Sequence, residues 1–261
     1  MDFVFDLPIT IVGIGIVFLL CCFGVAGLVL VRRRVLPRWQ IKTEDSEYSG
    51  AMVQAIMVFY GLALALIAVT VWQNYSNVAG TISEEASRVA GLYRDVSAYP
   101  EPARSQMQQE LRSYVDYVIH QAWPLQRKGQ VPRGGVDGIN RFQATLTAFE
   151  PTTEGQKILH AEALRAFNNL IEARRLRLDA VLTRLPGMLW FVIVAGALIS
   201  LSSAFFFKVE DIRLHGVLVI LLATFIGLVI FMVFALDRPF HGDLGLEPEP
   251  YQLIYEQLMK P

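Results

Sequence analysis

One stretch limits what this chain can become. Residues 50–75 carry no charged side chain, and the charged segment SEEASRVAGLYRD at 83–95 follows with no proline between them. The uncharged run suits hydrocarbon, whereas the charged segment needs water. Asn74, Ser76, Asn77 and Gly80 weaken a helix at the boundary, but no turn cluster there is strong enough to end it. The pattern predicts one long helix that leaves the bilayer and joins a membrane part to a soluble part.

Composition agrees with this division. Of 261 residues 54% are hydrophobic, and mean hydropathy is +0.41, yet the apolar residues are concentrated in blocks. Crossing a hydrocarbon core of about 30 Å at about 1.5 Å per residue takes roughly 20 apolar residues. Four blocks reach that length: 8–31, 51–75, 187–207 and 214–236. The expected fold class is all-α, an integral membrane protein with transmembrane helices in two pairs (1–75 and 187–236). A soluble helical bundle (76–186) is inserted between the pairs, and a tail (237–261) follows. The first block is expected to remain as a membrane helix and not a cleaved leader, because its basic residues follow the apolar run. Cys21 and Cys22 are neighbours on that helix, point to different faces and read as small packing residues. A net charge of −1 gives no sign of nucleic acid as a partner.

Taken in order, the first block is flanked by Asp2 and Asp6 on one side and by Arg32, Arg33, Arg34, Arg38 and Lys42 on the other. Gly13, Gly15, Gly24, Ala26 and Gly27 would let another helix approach, either within the chain or in an oligomer. In the bundle, Val89, Leu92 and Val96 recur at helical spacing until Pro100 and Pro102. Met107, Leu111, Tyr114, Val115, Val118 and Ala122 form one face of a second helix expected to end at Trp123 and Pro124. Residues 125–138 read as a loop. Ile139, Phe142, Leu146 and Phe149 form a short apolar face, and Thr152 or Thr153 caps a long helix. That helix has Ile158, Leu164, Phe167, Ile171, Leu178, Val181 and Leu185 on its apolar side and Glu172, Arg174, Arg175 and Arg177 opposite. The last two blocks, joined around Lys208, form an antiparallel hairpin. In the tail, Leu253, Ile254 and Leu258 mark a short amphipathic helix.

Two stretches resemble the bestrophin family of anion channels, and more closely the bacterial bestrophin-like domain of unknown function that shares its outline. One is the junction, VWQNY at 71–75 with EEASR at 84–88. The other is the tail motif Asp237, Arg238, Pro239, Phe240, His241, Gly242 and Asp243, similar to a Pro-Phe-Gly motif with acidic residues after the last membrane helix. The chain departs from the family in two places: 77–82 holds no arginine and no tryptophan pair, and Asp237, Asp243 and Glu247 are spread out, which puts a calcium clasp in doubt. The resemblance implies a homopentamer in the cell inner membrane, its pore lined by the second membrane helix and permeable to anions such as chloride. The neck face it implies is Leu64, Ala68 and Trp72, gating by excluding water, with Asn74 close by. Leu, Ala and Trp at that spacing are also what any buried helix face presents, and Asn74 serves an interface equally well.

Other chemistry is weakly represented. No apolar block contains an internal charge, which disfavours proton relays and cation pumps. His120, His160, His215 and His241 show no ligand spacing, and no nucleophile elbow, phosphate loop or zinc pattern is present. No enzyme, metal or cofactor is therefore expected. Glu84 and Glu85 are consecutive and cannot share a site, so one is expected to pack by an arginine. The basic loop after the first block places the bundle outside by charge bias, whereas the resemblance places it in the cytoplasm, the side adopted here. The alternative to a channel is a non-conducting membrane scaffold or sensor whose bundle binds a protein partner.

Overall fold

The computed structural model describes residues 8–35, 37, 43–207 and 211–260, with the backbone alone for 43–49. Asp2, Asp6, Arg38, Lys42 and Lys208 lie outside the described residues. Regular structure among the described residues is helical: α1 Ile9–Leu30, α2 Thr43–Val96, α3 Ala103–Tyr117, α4 Trp123–Gln126, α5 Gly135–Ala148, α6 Glu154–Ala180, α7 Gly187–Ala204, α8 Ile212–Leu236 and α9 Glu249–Ile254. Three π-helical turns, Val31–Val35, Val118–Ala122 and Tyr255–Met259, extend or join them. The chain divides into two compact units, Met1–Asn74 with Arg184–Asp237, and Tyr75–Thr183 with Arg238–Pro261.

In the first unit α1, the apolar part of α2, α7 and α8 are each long and apolar enough to cross a membrane. Within lipid, apolar burial gives helices little reason to associate, so close packing and hydrogen bonds must do it. The small residues of α1 serve this inside the chain: a Cβ on Gly24 would lie 2.9 Å from Val219, one on Gly13 3.0 Å from Phe231, and one on Gly27 would run into the Phe205 ring. Gly15 has open space around it. The Cδ2–Cε2 side of the Tyr60 ring on α2 occupies the space a side chain at Gly196 of α7 would take, and its hydroxyl donates to Ile193 O at 3.0 Å. Leu64, Ala68 and Val71 join Ile193, Ala197, Leu201, Val219 and Ala223 in the core of this unit. His215 Nε2 donates to Ala204 O at 3.1 Å, tying the ends of α7 and α8 together.

The second unit is a water-type bundle in which apolar stripes close on one another. α2 continues unbroken through Asn74–Gly80, as the absence of a breaker predicts, and buries Val78, Ile82, Val89, Leu92 and Val96. The helix begun by α3 does not stop at Trp123 and Pro124. Pro124 lacks an amide hydrogen and its ring crowds the carbonyl one turn back, and the wider turn Val118–Ala122 leads into Trp123–Gln126, with Pro124 in its first turn. The loop expected at 125–138 ends early because α5 starts at Gly135. That glycine is there for packing: a Cβ would lie 2.9 Å from Tyr117 Cε1. Thr153 caps α6, its hydroxyl accepting from Gln156 N at 3.2 Å while Gln156 Oε1 accepts from Thr153 N. The buried stripe of α6 is Ala163, Phe167, Leu170, Ala173 and Arg177, so Arg177 lies on the buried side and Ile158 on the exposed one.

The Tyr60–Gly196 contact is testable. Gly196→Val should push Tyr60 off Ile193 O and cost about 1–3 kcal/mol. Thermal unfolding in detergent measures it, and a change no larger than that of Gly216→Val, where nothing lies within 4 Å, would mean that α2 does not pack on α7 in this way.

Candidate functional site

The membrane part of α2 is apolar on all sides, so only packing distinguishes its faces. Leu64 and Ala68, 5% and 7% exposed, face the core of their own unit beside Tyr60 and Val71. Trp72 is 58% exposed and Asn74 half-buried. At about 100° per residue, Leu64 and Ala68 lie close together around the helix and Trp72 falls to the flank. A face drawn through 64, 68 and 72 thus runs from the subunit's core to its outside, because Leu64 and Ala68 are already engaged by α7 and α8. The side turned away from that core carries Phe59, Leu62, Leu66 and Val69, all exposed, and then Gln73.

The tail motif separates into two roles. In the first unit Asp237, 5% exposed, accepts from Leu185 N at 2.6 Å and from Trp190 Nε1 at 3.2 Å, pinning the entry of α7 to the end of α8. In the second unit 238–247 folds on itself, with Leu246 N donating to Pro239 O at 2.8 Å and His241 N to Arg238 O at 3.0 Å. Gly242 takes φ +74°, and a Cβ on Gly245 would lie 2.6 Å from Phe240 O, so both positions need glycine. Phe240 is buried edge-on to Trp123, whose indole N–H donates to Leu246 O at 3.0 Å. Arg127 donates to Gly242 O and pairs with Glu247 at 3.4 Å, and Tyr75 donates to Leu244 O at 3.1 Å. Asp237 and Glu247 thus each have a structural partner of their own.

Inside the second unit lies a charge cluster. Glu85 is fully buried and receives Arg177 Nε at 2.6 Å, Arg177 Nη2 at 3.2 Å and the Tyr114 hydroxyl at 2.7 Å. Tyr251 of α9 is buried beside the same carboxylate, with its ring centroid 5.7 Å from Arg177 Cζ. Burial, reinforced by the Glu85 charge, holds the Tyr114 and Tyr251 hydroxyls far above their ordinary pKa, so both stay protonated. Burial works against the Arg177 charge, but the charge of the Glu85 carboxylate and its hydrogen bonds outweigh that, and the Arg177 pKa is raised. The neighbouring Glu84 is partly exposed and pairs with Arg88 one turn on.

The sequence reading missed three of these residues. The sequence places Tyr114 among apolar positions and Arg177 among the polar ones, and Tyr251 stands in the tail stretch with no role assigned. The signal for Arg177 is its place four residues after Ala173, in the 163–167–170–173 stripe. Removing one partner from a buried ion pair costs about 3–5 kcal/mol, because the other charge is left without compensation. Arg177→Met should destabilise the protein by that order, and adding Glu85→Leu should recover much of the loss. Circular dichroism melts of both variants test this, and a single substitution that is harmless would mean the pair is not closed as described.

A family model for the Bestrophin-like domain matches residues 18–251. No curated protein matches the chain. Two solved structures share its fold: a bacterial bestrophin homolog from Klebsiella pneumoniae carrying a point mutation, with TM-score 0.65 and 10% identity, and a membrane protein variant, with TM-score 0.66 and 11% identity. Each alignment covers 95% of this chain and 97% of the other. With the family match running from the middle of α1 into α9, the chain belongs to the Bestrophin-like domain family.

Proposed function

We propose that this chain forms a channel for small anions such as chloride, assembled from several copies, five by resemblance. The outward side of α2 lines it. The observation that carries this is the side of α2 left uncovered by its own unit: Phe59, Leu62, Leu66 and Val69, followed by the amide of Gln73. An apolar constriction controls passage by excluding water. An amide at the end of the same side favours water or protein over lipid. No span carries an acidic side chain that would repel an anion. Membership of the Bestrophin-like domain family supports the channel reading, and the burial of Leu64 and Ala68 moves the proposed lining to Leu62 and Leu66.

Chloride flux from liposomes containing the oligomeric protein should exceed that of empty vesicles. Leu66→Ala and Leu62→Ala should change it severalfold, and Leu64→Ala should lower thermal stability instead. Absence of flux from inserted oligomer would overturn the reading in favour of a scaffold, and equal flux from every variant would remove α2 from the pore.

The soluble unit is proposed to face the cytoplasm of an inner-membrane protein. A reporter active only in the periplasm, fused after Pro132, should be silent, and strong activity would reverse the orientation.

A further inference from the structure

We propose that a groove on the first unit, independent of the pore, binds an anionic diacyl phospholipid. The groove has a volume of about 810 Å³ and runs along the second half of α1 beside Ile220 of α8. Phe18, Cys22, Val25 and Val29 form its apolar wall, and Arg33 and Arg34 close one end. Phe18, Cys22, Val25 and Val29 recur at helical spacing, so they form one strip. From Phe18 to Val29 that strip is about 16 Å long at 1.5 Å per residue, close to one leaflet of a core about 30 Å thick. The two arginines therefore stand at headgroup depth.

The turn Val31–Val35 explains why both arginines reach the groove. Arg33 follows Val29 by four residues and Arg34 by five, and a chain passing from α to π geometry turns both positions toward the same side. Among the described residues no ion pair engages Arg33 or Arg34, and both are exposed. Two guanidiniums above an apolar strip complement a phosphate with acyl chains below it.

Native mass spectrometry of the full-length protein tests this, with phosphatidylglycerol and phosphatidylcholine of identical acyl chains as probes. The protein should retain phosphatidylglycerol with a preference on the order of tenfold. Arg33→Gln with Arg34→Gln should abolish the preference, and Arg33→Lys with Arg34→Lys should keep most of it. Cys22→Trp, which fills the strip, should reduce retention of both lipids. Three results overturn the proposal: no preference in the unaltered protein, a preference untouched by the glutamine pair, or a Cys22→Trp variant that loses its oligomeric state while retaining lipid. The last would give the groove to a second copy. If the glutamine pair fails to fold, Cys22→Trp and the lysine pair decide the question alone: equal retention of phosphatidylglycerol by those two variants overturns the proposal, and loss in Cys22→Trp alone supports it.

Discussion

The second unit is organised around the Glu85 carboxylate. A lone carboxylate in an apolar interior would cost several kcal/mol or take up a proton, and here Arg177 and Tyr114 donate to it while Tyr251 lies alongside. These groups come from α2, α6, α3 and α9, elements that apolar contact alone would hold with little regard to register. Because the geometry that satisfies the charge is narrow, a slip of any one helix leaves a buried ion exposed to the penalty. The cluster thus fixes which arrangement of the apolar stripes is adopted, a role in specificity that does not require it to add net stability.

The C-terminal segment depends on this arrangement. Tyr251 sits between Arg177 and Trp123, with ring centroids 5.9 Å apart on the tryptophan side, and Trp123 in turn packs on Phe240 and holds Leu246 O. The tail motif, whose acidic residues are too spread out in the sequence to suggest a calcium clasp, is built as a clasp between 238–247 and the bundle. Its glycines allow the sharp return, and its aromatic residue fills the bundle's end.

How far the sequence could be read depends on the solvent of each part. In water, burial follows apolar periodicity, so Val89, Leu92, Val96, Met107, Leu111, Phe142 and Leu146 were legible as core, as was a threonine cap at 152 or 153, which the structure gives to Thr153. The errors there were local. Gly135 looked like a loop residue and is a packing residue, Pro124 looked like a stop and is absorbed by a π turn, and Arg177 looked like surface because charge outweighed spacing in the reading.

In the apolar spans the four helices were legible but their faces were not. Where every side of a helix is apolar, hydropathy carries no angular information, and what selects a face is the place where a neighbour can come close. For α1 that is set by Gly13, Gly24 and Gly27, and the sequence marked them. For α2 it is set from the other partner: Gly196 on α7 admits Tyr60, whose hydroxyl then finds Ile193 O, and Leu64 and Ala68 follow on the same side. Because the deciding glycine lies 136 residues away from the tyrosine it receives, the orientation of α2 could not be read from α2. In the proposed pore, the outward position of Leu62 and Leu66 follows from a contact neither of them makes.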